Sequence, residues 1–266
     1  MQSILRSGFG CLIQKNTFEK LSGKYLKGLL MDKGFVLVKN LDYSDKKLVD
    51  MCKGFGQIVN HDQEKKVGYG YKDVFKLDGT KNKIVNGREI LPLHADGGLV
   101  QTRVDHVFLY ANEIENLKFQ GATTVVDLKL ALEEMPPHLK RVLDEETFES
   151  NVFDREYYSE ASPKNWFKVP VFKDYGWTRQ FYCYFNFDEN FSNPGWETRI
   201  LGFSRKETDN FFKELDDFFR EYRYCYTHMW QKGDLLIMDN RNSIHAREPF
   251  DDVGKRIISR VQTIED

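Results

Sequence analysis

The sequence predicts a mostly β protein with helices packed around an antiparallel core, organised as one domain. Three observations carry that prediction. Apolar runs of strand length occur in both halves of the chain. Helix-periodic segments separate them without the strict β–α alternation that builds a parallel sheet. The length, 266 residues, suits one large domain or two small ones and needs no disulfide or metal for stability.

In chain order, residues 1–32 read as an N-terminal helical region. Its helix is expected from Thr17 to about Met31, with Phe18, Leu21, Tyr25, Leu29 and Leu30 on one side and Gly34 as the stop. Phe35-Val36-Leu37-Val38 is a short buried strand. Ser44 is the expected N-cap of a helix through Leu48, Met51 and Cys52, ended by Gly54-Phe55-Gly56. Residues 60–90 carry the turn signals Asp78-Gly79 and Asn86-Gly87 between short apolar runs, and are expected as hairpins or lid loops. Val107-Phe108-Leu109-Tyr110 and Thr123-Thr124-Val125-Val126 are strands, and Asp127 caps a helix beginning at Leu128. Phe181 to Phe187 reads as a strand that is apolar on both faces. A helix is expected from Arg205 to Tyr222 behind Ser204, its packing stripe formed by Phe211, Leu215, Phe218, Phe219 and Tyr222. Leu235-Leu236-Ile237-Met238 and Ile257-Ile258 complete a strand-rich C-terminal part.

Composition excludes several functions. Lysine plus arginine is 39 against 41 aspartate plus glutamate, so no global positive charge recruits nucleic acid. Aromatic residues make up 14% of the chain, which argues against disorder. Cys11, Cys52, Cys183 and Cys225 form no CxxC pair, and a reducing compartment fits them. Arg6, Gly8 and Gly10 break the mildly apolar start, and no run approaches a membrane span. A soluble cytoplasmic protein is expected, with no nucleic-acid or membrane partner and its oligomeric state open.

The chemistry-bearing residues begin at Leu93-His94-Ala95-Asp96-Gly97-Gly98. If residues 91–96 end a strand, His94 and Asp96 share a face because side chains alternate. A His-x-Asp triplet alone is common and needs a third ligand. His245 supplies it, following a Gly233-Asp234 turn and an apolar strand. Two imidazoles and one carboxylate with other positions open are a donor set for non-haem iron(II). Arg256 and Arg260 lie eleven and fifteen positions beyond His245, with the parity to share a strand face. Paired guanidinium groups suit carboxylate capture.

Together, His94-x-Asp96, Trp230 with Gly233-Asp234, Asp239-Asn240-Arg241, His245, Arg256 and Arg260 resemble the taurine dioxygenase family of iron(II)- and 2-oxoglutarate-dependent oxygenases. The resemblance runs from about Lys33 to the end of the chain. It implies a double-stranded β-helix, or jelly roll, spanning 1–266 with outer helices. It implies that His94, Asp96 and His245 ligate iron(II), and that Arg256 pairs with the distal carboxylate of 2-oxoglutarate. Thr123 adds a hydroxyl there by analogy with a Gly-Gly-x-Thr motif. That motif reads Gln120-Gly121-Ala122-Thr123 here, and Thr124 is the other candidate. Arg260 matches a position that grips the substrate's anionic group. Dioxygen is the oxidant, and 2-oxoglutarate leaves as succinate and carbon dioxide while a substrate is oxidised. Related halogenases lack the carboxylate that Asp96 provides, so hydroxylation or desaturation is expected instead.

The expected substrate is a small carboxylate-bearing molecule, an amino acid or a derivative of one. Leu91-Pro92-Leu93-His94-x-Asp96-Gly97 and the segment from Asp239-Asn240 to His245-x-Arg247-Glu248-x-Phe250 also look like the branch of the family that acts on amino-acid-derived isonitriles. A metal- or ligand-binding module without catalysis is the alternative from another class. Asn86 is a candidate substrate contact, with Tyr69, Tyr71, Phe75 and Arg88 in the same loops. The segment from Asp154 to Trp166 is a second candidate cover. His61, His106, His138 and His228 have no motif support.

Overall fold

The computed structural model describes residues 1–59, 73–79, 84–158, 162–176 and 179–265. Long β-branched and aromatic runs build the two largest of four sheets among the described residues. The major sheet is ordered Gln2–Ser3, Cys11–Ile13, Phe35–Val38, Leu235–Asp239, His106–Glu115, Lys255–Ile264, Gln57–Ile58, and Phe75–Leu77 also pairs with Lys255–Ile264. The minor sheet is ordered Cys225–His228, Thr123–Asp127, Ser243–Arg247, Leu91–His94. Pairing within both is antiparallel apart from Cys11–Ile13 against Phe35–Val38.

Alternation along the strands sorts the core into layers. Leu37, Val107, Leu109, Leu236, Met238 and Ile258 of the major sheet meet Val125 of the minor sheet. On the outer face of the major sheet, Val36, Val38, Phe108, Leu235 and Ile237 pack under the helices Gly23–Lys33 and Asp45–Cys52. On the outer face of the minor sheet, Leu93, Val126, Ile244 and Ala246 pack under Leu128–Glu134, Pro137–Glu145 and Arg205–Phe219. Leu235–Asp239 is thus covered on both faces, which is why its sequence is an unbroken apolar run. Each fully buried Leu or Phe in these layers contributes about 1.5–3 kcal/mol.

Several elements differ from expectation. Residues 1–32 are not wholly helical, because Gln2–Ser3 and Cys11–Ile13 form a hairpin that joins the major sheet. Gly8 and Gly10, at φ +91° and +75°, are its turn residues. A Cβ on Gly10 would sit 2.3 Å from the Phe35 ring. The first expected helix is two, Lys15–Phe18 and Gly23–Lys33, the second started by Ser22, whose hydroxyl accepts from Tyr25 N. Leu26 and Leu30 take the buried side while Tyr25 is half exposed.

The run from Phe181 to Phe187 is buried apart from half-buried Asn186, but only Arg179–Phe181 is regular strand. Its backbone turns to unlike partners instead of one ladder, with Tyr182 N donating to Val171 O and Phe185 N to Leu93 O. The long helix ends at Phe219, leaving Tyr222 in solvent. A Ser204–Glu207 capping box starts it as expected. Within 60–90, the described part contains the strand Phe75–Leu77, and Tyr69, Tyr71 and His61 lie outside the described residues. No helix among the described residues is long and apolar enough to cross a membrane.

Candidate metal centre and active site

The strand Leu91–His94 ends at His94, directly opposite His245 on Ser243–Arg247. This cross-strand pairing brings the two imidazoles to 4.4 Å between ring centres. Asp96 lies past the strand end, so strand alternation does not place it. Asn240 does. Its Oδ1 accepts from Asp96 N at 2.9 Å, and its Nδ2 donates to Asp96 O at 3.0 Å and Val104 O at 2.8 Å. Asp96 Oδ1 then sits 3.3 Å from His94 Nε2 and 4.0 Å from His245 Nε2. One ligand atom from each of the three buried residues lies within 4.8 Å of the others.

These residues fit a bound cation. His94 Nδ1 is 2.8 Å from Pro92 O, a pure acceptor, so that nitrogen carries a proton. Nε2, the other ring nitrogen, faces Asp96 Oδ1, where a metal between the two would take both as ligands. Burial pushes the Asp96 carboxyl up, but the bond with His94, the nearby His245 and the bond from Gln262 outweigh it and hold it at about 2. Burial, reinforced by His94, lowers His245 to about 3. Carboxylate and neutral imidazole are the protonation states that ligate metal.

The last strand, Lys255–Ile264, supplies the polar wall. Arg256, Ile258, Arg260 and Gln262 alternate inward, all buried. A register shift against His106–Glu115 skips Asn112 on the partner strand, so the alternation of the last strand survives it. Arg256 Nε donates to Gly121 O at 2.8 Å and Nη2 to Thr123 Oγ1 at 3.3 Å. Trp230 Nε1 donates to the same Thr123 oxygen at 3.0 Å. Thr124 points to the opposite face, against Thr227 and Glu248. Of the two expected hydroxyls, Thr123 is therefore the one beside Arg256. Gly121 is the retained glycine of that motif. At φ +65° its added Cβ would lie 3.0 Å from Arg256 Cδ.

Burial lowers Arg256 to about 9, with Arg247 adding to the effect, so it stays cationic at neutral pH. No carboxylate among the described residues pairs with it. A buried guanidinium of this kind is suited to pairing with a carboxylate.

Arg260 is 3.8 Å from Asp96 Oδ2 and donates from Nη2 to Tyr157 Oη at 2.8 Å. Burial lowers it to about 10, again leaving it charged. It borders a narrow cavity of about 30 Å³ with His94, Asp96, Tyr157, Tyr158 and Tyr184. A larger cavity of about 260 Å³, beside Leu128, Leu143 and Phe181 on the other side of the minor sheet, contains none of the metal-site residues. Donor chemistry, not size, places the active site.

Asn86 is buried but accepts from Asp78 N at 2.7 Å, closing its own loop. Its neighbour Val85 reaches the cavity wall, and Asn86 is not among the lining residues. Arg88 braces loops through the carbonyls of Gly79, Asp251 and Gly254. Phe75 does approach the site, its ring 5.2 Å from the Arg260 guanidinium and 5.8 Å from the Tyr157 ring. In the second candidate cover, Tyr157 and Tyr158 line the cavity, while Trp166 stacks under Arg199. His106 and His228 are buried in the fold and His138 is exposed against Glu214. Sequence reasoning missed Gln262, Tyr184 and the clamp made by Asn240. Gln262 had a signal in its parity with Arg260, and Asn240 one in the Asp239-Asn240-Arg241 motif.

The chain belongs to the taurine catabolism dioxygenase TauD, TfdA family, whose model matches residues 10–262. With the two-histidine, one-carboxylate site, this defines an oxidoreductase of the dioxygenase class that uses iron(II), 2-oxoglutarate and dioxygen. Among individual proteins, it is 22% identical over 248 residues to tyrosine isonitrile desaturase of Erwinia amylovora, covering 91% of this chain and 81% of that one. A shorter stretch of 65 residues is 36% identical to 3-((Z)-2-isocyanoethenyl)-1H-indole synthase of Fischerella ambigua, covering 24% of each. A 44-residue stretch, 39% identical, covers 15% of pentalenolactone F synthase of Streptomyces arenae. The fold is similar to PvcB, an Fe, alpha-ketoglutarate dependent oxygenase from an isonitrile synthetic pathway, with TM-score 0.69 and 18% identity over 96% of this chain and 86% of that one. It is equally similar to a taurine dioxygenase from Burkholderia xenovorans, with TM-score 0.69 and 16% identity over 97% and 86%.

Proposed function

We propose that this enzyme oxidises a small carboxylate-bearing metabolite, an amino acid or a derivative of one, by hydroxylation or desaturation within a single jelly-roll domain. The observation that carries this reading is Arg260, a buried cation on the wall of the cavity that His94 and Asp96 also line. In this reading His94, Asp96 and His245 hold iron(II), which when bound supplies dioxygen activation coupled to decarboxylation of 2-oxoglutarate. Arg256 pairs with the distal carboxylate of 2-oxoglutarate. Thr123, its oxygen already accepting from Trp230 and Arg256, has its own O–H left to donate to that carboxylate. Arg260 exchanges its contact with Tyr157 for the substrate's carboxylate and so orients the carbon to be oxidised. The tyrosine-lined wall excludes water from the reacting atoms.

A second reading, oxidation of an amino-acid-derived isonitrile, is favoured by that aromatic wall and by the names of the two isonitrile relatives. One screen separates the readings. Candidate amino acids and isonitriles are incubated with enzyme, iron(II) and 2-oxoglutarate while succinate and product mass are followed together. Gain of one oxygen indicates hydroxylation, loss of two hydrogens desaturation, and a further loss of carbon dioxide the decarboxylating isonitrile reaction. Folded, metal-loaded protein that shows no visible charge-transfer band with 2-oxoglutarate under anaerobic conditions would instead identify a non-catalytic binding module.

A further inference from the structure

The two oxygens of Asp96 have different surroundings. Oδ1 faces the Nε2 atoms of His94 and His245 at 3.3 and 4.0 Å. Oδ2 accepts a 2.5 Å hydrogen bond from Gln262 Nε2. A carboxylate only accepts, so the amide nitrogen, not its oxygen, must be the Gln262 atom on this side. Both residues are 4% exposed, which removes water as a competing donor.

We propose that Gln262 is a positioning residue for the metal centre, holding Oδ2 of Asp96 aside so that Oδ1 alone ligates and positions remain open for the co-substrate and dioxygen. The inference rests on the reading that His94, Asp96 and His245 hold iron. Asn240 pins the backbone of Asp96 at both N and O, so what remains to be fixed is the rotation of the carboxylate. Arg260 is too far from Oδ2, at 3.8 Å, to fix it by a hydrogen bond, and its guanidinium is the group assigned to the substrate. Gln262 stands on the same strand face, two residues further on, and lines the same cavity with its amide nitrogen on Oδ2. It ties the ligand carboxylate to the rigid last strand of the major sheet. A carboxylate free to turn would aim Oδ1 at the metal only part of the time, and the metal would bind more weakly.

The test compares the full-length wild type with Gln262→Met, which keeps the length and loses the donor, and Gln262→Glu, which replaces it with an acceptor. Mn(II) affinity is read by electron paramagnetic resonance without co-substrate, with thermal melting of the metal-free proteins as the control for folding. The expected result is Mn(II) binding weakened about 10–100-fold in Gln262→Met, and more in Gln262→Glu, with metal-free melting preserved. Gln262→Met that is folded and binds Mn(II) within about twofold of wild type overturns the role of Gln262 alone. Wild type that binds no Mn(II) overturns the metal-centre reading itself. Should the variants not fold, a crystal structure of wild type with Mn(II) and 2-oxoglutarate decides. Asp96 bound through Oδ1 only supports the proposal, and Asp96 bound through Oδ2 or both oxygens overturns it.

Discussion

Replacing Arg256 by Met separates ligand binding from stability, because the two should respond differently. Arg256 is 2% exposed, and its drop to about 9 means that burial, with Arg247 adding, costs the charged form about 4–5 kcal/mol. Against that stand its bonds to Gly121 O and Thr123 Oγ1, charge-assisted contacts of about 1.5–3 kcal/mol each. The terms nearly cancel, so metal-free Arg256→Met should melt within a few degrees of wild type. Its 2-oxoglutarate affinity should collapse. A bidentate carboxylate contact of about 3–5 kcal/mol corresponds to about 10²–10⁴-fold in Kd, measurable by calorimetry on the Mn(II)-loaded protein. The pH dependence has a definite sign. The folded value lies below the ordinary guanidinium value, so the cost of the buried charge is fully present below about pH 9 and is relieved as pH rises above it. Over the same range wild type loses the cation that the ligand needs, and its 2-oxoglutarate Kd should weaken about tenfold per pH unit above 9. A folded Arg256→Met protein that binds 2-oxoglutarate within about threefold of wild type would refute the assignment.

Arg260→Gln should raise KM for the primary substrate by about 10–100-fold and leave 2-oxoglutarate affinity unchanged, checked by varying each ligand in a succinate assay. A parallel loss of both affinities would show that Arg260 supports the whole site and not the substrate alone. Asn240→Ala removes the side-chain bonds to Asp96 N and Asp96 O and one of two donors to Val104 O, which keeps Gln180 Nε2. Urea unfolding should report a loss of about 3 kcal/mol, together with weaker Mn(II) binding. Unchanged metal affinity in folded Asn240→Ala would mean that the carboxylate is placed by something other than this clamp.

Most of the strands and the parts list of the site were legible because local periodicity encodes them. Phe35–Val38 and Leu235–Asp239 are covered on both faces, and continuous apolar sequence is the imprint of that burial. Ser204 and Glu207 set the start of the long helix through contacts three residues apart, which sequence displays directly. Its end was less legible, since Phe219 and Tyr222 look alike in sequence and only packing leaves Tyr222 in solvent. The same holds for Phe181 to Phe187, where apolar content was read correctly as burial but not as irregular backbone.

By itself, the sequence determined the donor set of His94, Asp96 and His245, the inward parity of Arg256 and Arg260, and the family to which they belong. It could not choose between Thr123 and Thr124, because adjacent residues on a strand face opposite ways and the face depends on which sheet lies opposite. Nor could it reveal that Asp96 lies beyond its strand, held by Asn240, or that Gln262 reaches its outer oxygen. Those contacts join residues far apart in the chain through backbone amides and one carboxylate oxygen. They leave no periodic trace, and they exist only once the two sheets are stacked.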